Sequence, residues 1–146
     1  MLTRLRAALL GAAASTLLVA ASAAWAGDTV VHVTLTGDGG EKMGLVLDAA
    51  SVPAGTVEFT VKNDAMMTDH EMVVVKLKSK SDTIPMMTDG KRVDEEKLAA
   101  MGEVSDLKPG ADGKLKVALD AGDYLLFCNL KGHYTAGMVG AFTVTK

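Results

Sequence analysis

The stretch Gly122-Asp-Tyr-Leu-Leu-Phe-Cys128-Asn-Leu-Lys-Gly-His133-Tyr-Thr-Ala-Gly-Met138 changes character halfway along. Its first half, Asp123 to Cys128, is a short apolar run introduced by the turn residues Asp120-Ala-Gly-Asp123, which reads as a β-strand. Its second half is a loop that puts a thiol, an imidazole and a thioether within eleven positions. Successive strand side chains point to opposite faces, so Cys128 can face an interior only from the strand end, while His133 and Met138 return towards it from the loop. Gly132 and Gly137 stand directly before those two residues, where a sharp turn or a close approach calls for a residue without Cβ.

Working outward, Thr29 to Thr36 puts Val31, Val33 and Leu35 on one face and Val30, His32, Thr34 and Thr36 on the other, the period of a half-buried strand. Lys42 to Asp48, Thr56 to Asn63, Glu71 to Lys78, Lys114 to Leu119 and Val139 to Thr145 read as further strands. Gly37-Asp-Gly-Gly40 and Pro53-Ala-Gly55 supply turns. Between Ser79 and Gly113 the sequence is polar and carries Pro85 and Pro109; helical spacing over Arg92 to Met101, closed by Gly102, predicts one short helix in a long connection. That connection is expected to cross the flank with its charges in solvent. Seven short strands with Gly-rich turns predict an all-β fold, a Greek-key antiparallel β-sandwich.

The first residues carry Arg4 and Arg6 with no acid, then an apolar run from Ala7 to Ala23 and the small-residue site Ala24-Trp25-Ala26. This predicts a secretory signal peptide over 1–26, cleaved after Ala26. The run falls short of the ~20 apolar residues of a membrane span, and no cysteine follows it to carry a lipid. The remaining 27–146 suits one domain, since domains hold ~100–150 residues. An exported, periplasmic, monomeric protein with no membrane insertion after cleavage is expected. Without the leader, thirteen basic residues face eighteen acidic ones, a net charge of −5. Such a surface repels phosphate, so nucleic acid is excluded as a partner.

Exported cysteines usually pair, yet Cys128 is alone. It is therefore buried and inert, bridged to another chain, or held by a metal. Its neighbours favour the metal. Thiolate and imidazoles are strong equatorial donors to copper, a thioether is a weak axial one, and trigonal His₂Cys with a distant Met is the type 1 arrangement. Zinc usually draws a fourth strong donor, which Met138 is not. The second imidazole falls to His70, at the head of a strand after the loop from Asn63 to Asp69, because His32 sits mid-strand on the polar face. The expected set is one mononuclear copper held by His70, Cys128, His133 and Met138.

The spacing of Cys128, Gly132, His133, Gly137 and Met138, with Tyr124 four residues before the cysteine, resembles the type 1 copper loop of the cupredoxins. The C-x₄-H-x₄-M ligand spacing is most similar to that of the rusticyanin, auracyanin and sulfocyanin group, and Glu71 after the first histidine resembles periplasmic cupredoxin-like copper-binding proteins. The resemblance implies His133 as the electron port, with redox partners docking transiently around it and Tyr134, Ala136, Met66 and Met67 forming the patch. It also implies an Asn or Ser after the first histidine to brace the ligand loops; with Glu71 there, bracing is expected from Asn63 or Asn129.

Four protein donors leave no position open for a substrate, so the expectation is an electron shuttle and not an enzyme. Cys128 and His133 as nucleophile and base would need an oxyanion frame and an open cleft, of which the sequence shows little. The alternative is a periplasmic copper carrier or buffer. Met66-Met67 and Met86-Met87 offer soft donors for Cu(I), although methionine also serves to fill irregular gaps in a core.

Overall fold

Among the described residues nine strands form two facing sheets, most of them built on an alternation of apolar residues. The computed structural model describes residues 28–39 and 42–146, and the expected signal peptide lies outside them. In chain order the strands are β1 (Thr29–Thr36), β2 (Gly44–Leu47), β3 (Ser51–Pro53), β4 (Gly55–Asn63), β5 (His70–Lys76), β6 (Ala99–Leu107), β7 (Asp112–Leu119), β8 (Gly122–Phe127) and β9 (Val139–Thr145). One sheet runs β2-β1-β4-β7, the other β3-β9-β8-β5-β6. The all-β sandwich is as the sequence predicts, and β1 has the expected bounds. It is not purely antiparallel, however: β1 pairs with β4, and β3 with β9, in parallel.

Two strands escape the sequence pattern. β3 is a three-residue edge strand, and β6 is an edge strand whose pairing with β5 slips register twice. Gly102 and Asp106 in β6 both have positive φ. Such bulged edges do not keep the period of two that reveals a strand. The helix expected over Arg92 to Met101 is reduced to a single 3₁₀ turn at Glu95–Lys97. Leu98 is already extended and leads into β6, because Val93 and Leu98 pack downwards onto a sheet instead of lining one face of a helix.

The inner faces meet in one core. Val31, Val33 and Leu35 of β1 and Val57, Phe59 and Val61 of β4 lie against Met72 and Val74 of β5, Tyr124 and Leu126 of β8, and Phe142 and Val144 of β9. Phe59 and Phe142 meet edge to face across the two sheets, 5.4 Å between centroids. The second sheet is buried on its outer face too. There Val73, Val75 and Phe127 pack against Ile84, Met86, Val93 and Leu98 of the long connection, and Met86 and Val93 form a β-bridge. The connection is thus a strap laid over the sheet, which corrects the expectation of a solvated flank. It also explains the unbroken run Val73-Val-Val75, since a strand covered on both sides has no polar face to show.

The loop between β4 and β5 is held by Asn63, which is fully buried. Its amide donates to the Thr68 and Leu107 carbonyls at 2.9 and 2.8 Å, and its Oδ1 accepts from Ala65 N–H at 3.0 Å. Asn63→Ala orphans these groups, at ~1–3 kcal/mol for each one buried. A loss of about 3 kcal/mol is expected from chemical denaturation of the metal-free protein; a loss below about 1 kcal/mol would show that the loop re-satisfies them.

Candidate metal centre

Three donor atoms converge at one end of the sandwich. Alternation along β8 turns Tyr124, Leu126 and then Cys128 inward, while Phe127 faces the strap. Just past the strand end, the Cys128 Sγ lies 3.3 Å from His133 Nδ1. His70 opens β5, and its Nδ1 lies 3.2 Å from His133 Nδ1. Ligand atoms of His70, Cys128 and His133 all lie within 4.8 Å of one another. His70 and Cys128 are fully buried and His133 half-buried, so the second imidazole is the member of the trio that reaches the surface.

The loop from Cys128 to Met138 closes on itself. Cys128 N–H donates to the Met138 carbonyl and Met138 N–H to the His133 carbonyl, both at 3.1 Å. Met138 is fully buried at the base of the same loop. Gly132 and Gly137 have φ of 89° and 104°, the left-handed region that favours glycine, as their places in the sequence suggest. At Gly137 a Cβ would also stand 3.3 Å from the Met43 carbonyl oxygen.

The protonation pattern suits a cation. His70 Nε2 lies 2.9 Å from the Gly37 carbonyl, which can only accept, so that nitrogen carries the proton and Nδ1 presents a lone pair to the trio. Burial holds both imidazoles below the usual histidine range; the Gly37 carbonyl partly offsets this for His70, and the charge of His70 adds to it for His133. Burial pushes the Cys128 thiol up to about 11, against N–H groups of Glu71 and Leu130 that favour the thiolate. One soft sulfur and two nitrogens converging in an apolar pocket match the donor chemistry of copper.

Glu71 itself joins the two ligand segments, with the main chain of Asn129 as its partner, a role the sequence did not assign to it. Its N–H points at Cys128 Sγ, 3.4 Å away, and its Oε1 accepts from Asn129 N–H at 3.0 Å. Burial pushes the Glu71 carboxyl up, while the Asn129 N–H pulls it down. The side chains of Asn63 and Asn129 go elsewhere, to the preceding loop and to the strap. The sequence also gave no sign that Gly37-Asp38 serves the site. Next to the Gly37 carbonyl, Asp38 accepts from the N–H groups of Met66, Met67 and Thr68, at 3.1, 2.6 and 3.2 Å. This turn projects Met66 and Met67 into solvent, 84% and 79% exposed.

His32 stands apart, as its mid-strand position suggests; its Nδ1 meets the Thr60 hydroxyl at 2.6 Å on the outer face of the first sheet. A cleft of about 740 Å³ there, lined by His32, Thr60 and Lys62 among others, includes none of the three donors. Among the described residues no helix is long and apolar enough to cross a membrane.

Comparison with known proteins gives a consistent picture. The profile of the family described as copper binding proteins, plastocyanin/azurin family, matches residues 31–145. No curated protein matches the sequence. Among solved structures, reduced auracyanin from Roseiflexus castenholzii superposes with a TM-score of 0.56 at 22% identity, over 82% of this chain and 98% of its own. Rusticyanin from Thiobacillus ferrooxidans gives 0.55 at 21% identity, over 82% and 79%. Auracyanin A from Chloroflexus aurantiacus, described as a "blue" copper protein, gives 0.55 at 19%, over 82% and 100%. At these identities the likeness is one of fold.

Proposed function

The chain belongs to the plastocyanin/azurin family of copper-binding proteins, and on that premise we propose that it is an exported electron shuttle. One type 1 copper is held by His70, Cys128, His133 and Met138. The observation that carries this reading is the convergence of His70, Cys128 and His133, whose ligand atoms lie within 4.8 Å of one another, with His133 alone of the three reaching the surface.

When bound, copper would supply one-electron chemistry between its two oxidation states. The protein's part is to hold and shield. The Gly37 carbonyl fixes the His70 tautomer, Glu71 fixes the segment carrying Cys128, and the core excludes water from the thiol. A site with four protein donors changes charge with little ligand movement and offers a substrate no place to bind. A redox partner docks weakly over His133, against Tyr134, Ala136 and the exposed Met66 and Met67, through an interface at the small end of the range, below ~1,200 Å². The leader sequence of residues 1–26 supports export.

Exposure of Met66 and Met67 favours a second reading, copper carriage, because thioethers in solvent suit Cu(I). Repeated reduction by ascorbate and reoxidation by ferricyanide, with excess Cu(I) chelator present, separates the two. A shuttle is expected to recover its full visible absorption at each cycle with copper content unchanged. Copper lost to the chelator on the first reduction, and retained when Met66 and Met67 are replaced by leucine, would establish carriage in its place.

A further inference from the structure

Asn129 follows the thiol ligand candidate directly, yet its side chain makes no hydrogen bond within its own loop. Its Oδ1 accepts from Val93 N–H at 2.6 Å, and its Nδ2 donates to the Val93 carbonyl at 3.0 Å and to Glu95 Oε1 at 2.6 Å. All three partners belong to the strap. A second fastening lies three residues on, where Gly132 N–H donates to the Lys91 carbonyl at 2.8 Å. Two residues further on, Tyr134 meets Phe127 edge to face at 5.7 Å, within the apolar cluster that also contains Val93 and Met86. The loop carrying Cys128 and His133 is therefore tied on one side to β5 through Glu71, and on the other to a segment more than thirty residues away in sequence.

We propose that Asn129 is a positioning residue: it clasps the metal-binding loop to the strap over residues 84–95, so that Cys128 and His133 keep their mutual placement with or without metal. The part of this that concerns copper rests on the reading given above. A free loop of this length would have to be ordered each time metal entered and would open readily to release it. A loop already pinned by buried hydrogen bonds is preorganised, and its donors cannot swing apart singly. Neighbours of metal ligands held in this way typically change affinity by ~10–100-fold when removed.

The test compares Asn129→Ala with Glu95→Gln, which keeps an oxygen acceptor for the Asn129 amide, and with Val57→Ala, which opens a cavity in the first sheet far from the loop. In the metal-free proteins, amide hydrogen exchange at Gly132, His133 and Met138 is expected to accelerate by about tenfold or more in Asn129→Ala, beyond any change in β1. It should stay near wild type in Glu95→Gln, and in Val57→Ala should follow global stability alone. In the copper-loaded proteins, release to excess EDTA is expected to quicken by about tenfold in Asn129→Ala, with a shift of the visible band, while Val57→Ala keeps the wild-type spectrum. Loop exchange in Asn129→Ala that merely tracks global stability overturns the clasp. A wild type that forms no coloured copper complex overturns the copper reading instead, and the exchange comparison still decides the clasp.

Discussion

Copper-loaded Cys128→Ser is expected to be colourless. Intense visible absorption in this donor set comes from charge transfer out of a thiolate, and the chain has a single sulfur of that kind. A serine hydroxyl is neither soft nor ionised at neutral pH, so affinity should also fall by more than the ~100-fold upper range seen when only a ligand's neighbour is lost. The fold should survive. Serine is smaller than cysteine, and the Glu71 N–H and the His133 ring that surround the sulfur can hydrogen-bond a hydroxyl; the expected cost to the metal-free protein is about 1–2 kcal/mol. Absorption spectra and copper titrations of both proteins, with far-ultraviolet circular dichroism as the folding control, decide the matter. Visible absorption of comparable strength in the variant would remove Cys128 from the site.

Affinity for copper should rise about tenfold per pH unit between about pH 7 and 10. In the metal-free protein burial pushes the Cys128 thiol up to about 11, so it is protonated throughout this range and copper must displace one proton to bind the thiolate. His70 and His133 are held below 6.5 by burial and are already neutral, so they add nothing to the slope there. Their protonation joins in, and the slope steepens, only at a more acidic pH than for an ordinary histidine, because burial lowers both. The sign for metal-free stability follows from the same shift. A thiol raised from 9.0 favours the folded state fully below pH 9, and that contribution is lost as pH climbs through about 11. Competition with a chelator of known pH dependence at pH 7, 8 and 9 measures the slope. A value near zero would mean that the thiol is already ionised before metal arrives.

Much of the molecule is legible from local pattern. β1 is readable to the residue because Val31, Val33 and Leu35 alternate with polar neighbours, and a strand with one wet face advertises its period. The loop is equally plain, since its ligand candidates and the glycines that turn it lie within one short segment. Residues 92–101 mislead for a corresponding reason: their apolar members fall at helical spacing, but Val93 and Leu98 pack against the outer face of a sheet and Met101 against its inner core, which spacing does not specify. β6 is hidden by its bulges and by the scarcity of buried side chains on an edge strand.

The sequence by itself determined seven strands of the sandwich, the inward turn of Cys128 and the local set of soft donors, because each depends on the period of a strand or on the conformational freedom of glycine. Only the tertiary structure decided that His70 meets His133, that Glu71 reaches Asn129 and that Asn129 is fastened to the strap. These contacts join segments 34 to 63 residues apart. Their partners are chosen by which buried polar groups remain to be satisfied once the sheets have packed, and that is a property of the whole fold.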